Sequence, residues 1–271
     1  MKDARIGARS LIAAFFLLVI ASLGAKADEA SNFLSNLHNF RVSNFIALDA
    51  YYRFSADGNT GSLNEIVAAI NNANASMNTV SSSTAEVLSA ADIEGLNEDF
   101  DKFKDLMRLN INDVRNSGYP DLRLVGEMAE QAAALNNRAT ELYSLSLESN
   151  QITINDRIEA ARSAAVTMAQ MMAKYSVRSH MSVSQTFQGS ATDEPLDVKA
   201  KKFESLLTQV SSGPKTGQLK TTLEEINSKW LFIRNSYINY NENNVSFVID
   251  RYSKGILEAL DSTITLLQES A

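Results

Sequence analysis

The sequence predicts an all-α protein: an antiparallel helical bundle architecture of about eight helices, arranged as two related four-helix units. Three observations carry this. Apolar residues recur at alternating steps of three and four through the long segments, which puts them on one face of a 3.6-residue helix. The three prolines, Pro120, Pro195 and Pro214, sit at expected helix boundaries and interrupt no periodic run. No stretch shows the strict apolar-polar alternation of a half-buried strand. With 271 residues, 45% hydrophobic and 21% charged, the chain can bury a sizeable core.

The first segment reads as an address. Lys2, Arg5 and Arg9 precede a thirteen-residue apolar run, Leu11 to Leu23, and Ala25-Lys26-Ala27 makes an A-x-A cleavage site. The run is shorter than the roughly 20 residues that span a bilayer as a helix. Residues 1–27 are therefore expected to be a signal peptide cleaved after Ala27, leaving a periplasmic or secreted protein; the alternative is an uncleaved inner-membrane anchor. Cleavage would remove four basic and one acidic side chain and move the formal net charge from −7 to −10. Such acidity argues against nucleic acid and anionic lipid as partners. There is no cysteine, so no disulfide framework and no thiolate chemistry is available.

The remaining elements follow in order. A first helix is expected from about Ser31 to Ser55 with Leu34, Leu37, Phe45, Leu48 and Tyr52 buried, ended by Asp57-Gly58-Asn59-Thr60-Gly61. A second opens on a Ser62/Glu65 capping box and buries Leu63, Ile66, Val67, Ile70 and Met77. The third carries Ile93, Leu96, Phe100, Phe103, Met107, Ile111 and Val114 and stops at Ser117-Gly118, and the fourth starts at Pro120 with Val125, Met128, Ala132, Leu135, Ala139 and Leu142 inward. The fifth, residues 155–182, is the organising one. Asp156 and Glu159 suit its first turn. Ile158, Ala161, Ala165, Met168, Met172 and Tyr175 form a packing seam, and Glu159, Ser163, Thr167, Gln170 and Lys174 are expected opposite it. Its six alanines between Ala160 and Ala173 allow close approach of another helix. After a linker at Gln188 to Pro195, a sixth helix runs from about Leu196 to Ser211 and a seventh carries Leu219, Leu223, Ile226, Trp230, Ile233, Tyr237 and Tyr240. Asn241 to Asn244 reads as a turn, and an eighth helix presents Val248, Tyr252, Ile256, Ala259 and Leu266.

These helices fall into residues 28–150 and 151–271. An offset of 123 residues superimposes Phe45, Leu48 and Tyr52 on Met168, Met171 and Tyr175, and Leu96, Phe100, Phe103 and Met107 on Leu219, Leu223, Ile226 and Trp230. An offset of 123 to 124 relates Val125 and Met128 to Val248 and Tyr252. Duplication of a four-helix unit explains the spacing, and one long bundle without internal ancestry is the alternative.

Chemistry-bearing motifs are few. His38 and His180 are the only histidines, and neither belongs to the Glu-x-x-His pattern with which bundles hold paired metals. No phosphate-cradling glycine loop, haem attachment or nucleophile elbow occurs, so no catalytic residue, cofactor or metal is expected. The line Glu94, Glu98, Asp101 and Asp105 reads as a solvated face, the group Met168, Met171, Met172 and Met181 as core, and both histidines as partly exposed helix residues. Arg157 and Arg162 are the ligand-binding candidates: the helical wheel puts Arg157 on the buried side and Arg162 at the flank of the seam, where a small anion could be held between helices. Ion pairing with a neighbouring helix is the alternative for both.

From Ile158 to Tyr175 the sequence resembles the signature helix of the PilJ/NarX-like sensor domain, the periplasmic four-helix module of type IV pilus chemotaxis transducers and nitrate sensors. That family shows a small-residue and arginine-rich run leading into Met-x-x-Gln-Arg-Met-Ala-Lys. Gln170, Met172, Ala173 and Lys174 match its end, while Met171 and Val166 stand where arginines are usual. Nitrate-sensing members use those arginines across a dimer interface, so the resemblance implies a sensor module without implying nitrate. It implies a non-catalytic partner of chemotaxis or pilus signalling that binds a small anion, another small ligand or a membrane-bound signalling protein, and that can pair as a homodimer. The family's transducers continue into cytoplasmic modules, so a chain ending at Ala271 is expected to need such a partner. A structural or assembly factor of the cell envelope, acting by protein contacts alone, is the other reading.

Overall fold

The computed structural model describes residues 4–83, 87–149, 155–180, 194–240 and 245–270, with side chains from Glu29 onward, that of Ser149 apart. The described residues form eight helices, with no strand among them. They are α1 (Ala4–Asp57), α2 (Thr60–Ser82), α3 (Ala90–Ser117), α4 (Leu122–Ser149), α5 (Asp156–His180), α6 (Leu196–Val210), α7 (Gly217–Ile238) and α8 (Ser246–Glu269). Among the described residues no helix is long and apolar enough to cross a membrane. Part of the expected linker, the turn at Asn241 to Asn244, and Met181 lie outside the described residues.

Helix α1 packs on α2, α4 and, less, α3, while α3 packs on α4 and α2; α5 packs on α6 and α8, and α7 closes that second set. Two four-helix units result, each with its own apolar interior. They join along α1 and α5. Two ties fix the register there, Ser35 to Arg162 and Asp49 to Ser176, each spanning 127 residues. The constant separation means that α1 and α5 run parallel. Val42, Phe45 and Ile46 of α1 pack into the second unit's core, and Ala173 and Val177 of α5 into the first.

The buried faces align as the offsets require. Phe100, Phe103 and Met107 correspond at 123 residues to Leu223, Ile226 and Trp230, all buried. For α4 and α8 the burial pattern selects 124: Val125, Ala132, Leu135 and Ala139 correspond to Ile249, Ile256, Ala259 and Thr263. Val248 is only half-buried, because the last helix is rotated by one residue relative to a strict 123-residue spacing. The second helices of the two units also differ in length, with 23 residues in α2 and 15 in α6.

Several local expectations are corrected. The cap of α2 is Asn59, whose side chain accepts from the Gly61 N–H at 2.7 Å; Glu65 is drawn away from Ser62 by two cations described below. Helix α4 begins after Pro120, with the Asp121 carboxylate accepting from the N–H groups of Arg123 and Leu124 at 2.8 and 3.3 Å. At α5 the cap is Asn155, which accepts from Arg157 N–H at 2.9 Å, and this releases Glu159 for other contacts. Val67 is 51% exposed, since α2 presents Ile66, Ala69 and Ala73 inward instead. Gly118 ends α3 as foreseen, at φ 80°, a conformation in which a Cβ is strained.

Candidate functional site

All six seam residues, Ile158, Ala161, Ala165, Met168, Met172 and Tyr175, are buried. The face expected to be polar is buried as well at Thr167, because α5 is flanked by α1, α6 and α8 and has almost no solvent side. Alanines at 160, 161, 164, 165, 169 and 173, none more than 4% exposed, let those three helices approach. A helix so enclosed must pair every polar side chain it carries.

Arg162 does so incompletely. It is 2% exposed, and one terminal nitrogen donates to the Tyr143 hydroxyl at 2.9 Å and to Glu159 Oε1 at 3.1 Å, while the other donates to Ser35 Oγ at 2.7 Å. The Tyr143 hydroxyl donates in turn to the same Glu159 oxygen at 2.6 Å. Arg162 Nε has no partner among the described residues. The expected site residue therefore stands where α1, α4 and α5 meet, and it is tied to a carboxylate.

Two α1 side chains complete this junction: Arg41, which sequence reasoning passes over, and His38, which it places at the surface. Arg41 is 8% exposed, its guanidinium lies 4.9 Å from the centre of the Tyr143 ring, and among the described residues it has neither hydrogen bond nor ion pair. Burial lowers its pKa, with the Arg162 charge acting in the same direction and Tyr143 and Glu159 opposing. His38, expected to be partly exposed, is 4% exposed, with Nδ1 sealed and unpaired. Burial, then the charges of Arg162 and Arg41, hold its imidazole well below the usual range, so it is neutral. The junction thus contains two guanidinium groups, one carboxylate and a neutral imidazole.

Arg157 lies elsewhere. Its Nε donates to Val210 O at 2.9 Å and Nη1 to Pro214 O at 3.1 Å, so it serves the C-terminal end of α6. The structure does not bring the two arginines together. Close by, Asp156, Glu159, Ala160 and Ser163 of α5 and Leu206 and Gln209 of α6 line an open cleft of about 620 Å³, so Glu159 faces both this cleft and the junction.

A second polar cluster ties the units further along the same seam. Asp49, 1% exposed, accepts from Arg53 Nη2 at 3.0 Å and from Ser176 Oγ at 2.6 Å. Arg53 also pairs with Glu65 and, at 3.4 Å, with Asp250; Lys254 bridges Glu65 and Asp250, each at 2.8 Å. Burial raises the Asp49 pKa despite Arg53, whereas hydrogen bonds from Arg53 and Lys254 outweigh burial at Glu65 and lower its pKa. His180 has an unpaired, sealed Nε2 and a pKa lowered by burial.

The other candidates resolve simply. Glu94, Glu98, Asp101 and Asp105 are exposed, with Asp101 and Asp105 paired to Lys104 and Arg108. Met168, Met171 and Met172 are core. Among the described residues no group of three or more His, Asp or Glu is placed to hold a metal ion. Compared with known protein families, with curated proteins and with solved structures, the chain matches none.

Proposed function

We propose that this is a non-catalytic, exported, sensor-like helical protein that binds a small ligand between its two units and reports it through the α1/α5 seam to a membrane-bound signalling partner. The observation that carries the reading is the junction of α1, α4 and α5, which buries two guanidinium groups and in which, among the described residues, the Glu159 carboxylate pairs with Arg162 and not with Arg41. A sealed scaffold gains nothing from burying an extra cation, which costs several kcal/mol unless something compensates it. A ligand that compensates it favours the arrangement of α1 and α5 in which the cation is reachable, and so shifts the population. The Ile158–Tyr175 resemblance to PilJ/NarX-like sensor helices supports the same reading, with chemotaxis or type IV pilus signalling as its setting. The envelope-scaffold reading draws on the second cluster, whose ion pairs lock α1 and α2 to α8.

Thermal unfolding of the purified protein against small anions, amino acids and polyamines separates the two. A ligand that binds only the folded state raises stability by about 2.7 kcal/mol at a hundred times its dissociation constant. A saturable rise is expected; none across the panel would leave the scaffold reading, to be pursued by cross-linking to envelope proteins.

A further inference from the structure

We infer that the α1/α4/α5 junction binds a small monocarboxylate, with Arg41 as the group that takes the carboxylate, and with Arg162 and His38 beside it. This names the ligand class of the site proposed above and rests on that reading.

Charge is the first argument. Arg41 and Arg162 together carry two positive charges, and among the described residues Glu159 is the one carboxylate acting on Arg41, so the junction they form has an excess of one cation. A monoanion neutralises it, while a dianion would leave a buried negative charge in its place. Unused bonding capacity is the second. Arg41 Nε, Arg162 Nε and His38 Nδ1 are all sealed from solvent without a partner among the described residues, on residues 8%, 2% and 4% exposed. Glu159 Oε1 is already committed to Tyr143 and Arg162, which leaves Arg41 as the free guanidinium.

Geometry selects the chemical class. The Tyr143 ring lies at one side of the Arg41 guanidinium at 4.9 Å and restrains its plane, and the planar fork of a guanidinium matches a carboxylate with two parallel N–H···O bonds. The junction reaches solvent on the Glu159 side, where that side chain is 25% exposed and lines the cleft between α5 and α6. Packing alone does not require these side chains. At the offset of 123 residues, the α5 positions matching His38 and Arg41 are Ala161 and Ala164, both fully buried in the sister unit. Arg41 also falls outside the two positions, Val166 and Met171, at which the resembling family carries arginine; their α1 counterparts are Ser43 and Leu48.

Titration calorimetry of the full chain with acetate, lactate and benzoate, and with phosphate and putrescine as counter-probes, tests this on the native protein, Arg41→Lys and Arg41→Met. Saturable carboxylate binding is expected, weakened about tenfold or more in Arg41→Met and less in Arg41→Lys, which keeps the charge without the fork. Arg41→Met is expected to unfold at the same or a higher temperature, because it removes a buried unpaired cation, so its loss of binding reads as loss of the site. Equal carboxylate binding in Arg41→Met, or tighter binding of phosphate, overturns the proposal. Binding of putrescine alone overturns it and leaves a ligand-binding sensor standing; no binding by any probe removes both.

Discussion

At the scale of single residues, the junction makes His38 a source of pH dependence. The folded chain holds this imidazole neutral, because it is buried and faces Arg41 and Arg162, while the unfolded chain protonates it below its ordinary value of 6.5. The unfolded state then binds more protons, so stability present above pH 6.5 is lost as pH falls below it, by up to about 1.4 kcal/mol per pH unit. His180 contributes with the same sign. Asp49 acts the other way: its pKa is raised in the folded state, so its contribution grows as pH falls through that value towards 3.8. Urea unfolding between about pH 7.5 and 5.5 should therefore give a shallower slope for His38→Leu than for the native chain. An unchanged slope would show that His38 is not buried neutral. The helical wheel located Arg162 because its neighbours form a clean stripe. It missed Arg41 because the Leu34, Leu37 and Leu48 pattern of α1 looks like an ordinary amphipathic helix, and nothing local shows that its other side is covered too.

At the scale of elements, α5 and α6 show how an arginine can belong to a helix end rather than a ligand. Arg157 bonds two carbonyls beyond its own helix, at Val210 and Pro214, where α6 leaves acceptors unmet and Ser211-Ser212-Gly213 turns the chain. Arg157→Ala should lower stability by about 1 kcal/mol and raise hydrogen exchange within residues 196–214, while ligand affinity stays unchanged. A loss of affinity with unaltered exchange would return Arg157 to the binding site. Caps were only partly readable for a related reason. Asn59 and Asn155 lie before the residues that the capping motifs favour and Asp121 lies one after Pro120, because helix starts depend on which of several adjacent polar side chains is free of tertiary partners. Glu65 and Glu159 suit first turns, yet Glu65 is claimed by cations on two other helices and Glu159 by Arg162 of its own helix and Tyr143 of α4.

At the scale of the molecule, the two units are held along parallel helices α1 and α5 by apolar packing and by the Asp49–Arg53–Glu65–Lys254–Asp250 network. Its members come from α1, α2 and α8, with Ser176 of α5 as a neutral partner. Arg53 is the hinge of the network, since three carboxylates address it. Arg53→Met leaves Asp49 buried with the Ser176 hydroxyl as its remaining hydrogen-bond partner among the described residues and should destabilise by about 3 kcal/mol. Adding Asp49→Asn should recover part of that loss, because the stranded charge is gone. Denaturant unfolding of the two single variants and the double variant measures this coupling, and strictly additive losses would mean that the network does not act as a unit.

The sequence by itself determined the all-α class, the α5 seam, the division into two sets of four and eight helices with nearly correct limits except for α1, which begins at Ala4 rather than near Ser31. Those properties are encoded locally, in apolar periodicity and in the placement of proline and glycine, and periodicity survives whatever the helix packs against. Tertiary structure alone decided which polar groups are buried and whom they meet. Ser35 meets Arg162 and Asp49 meets Ser176 across 127 residues, and Glu65 meets Lys254 across 189. A helical wheel divides each helix into an inner and an outer face, but α1 and α5 pack on several sides at once, and only the assembled bundles convert an outer-face arginine into a buried cation with no ion pair among the described residues.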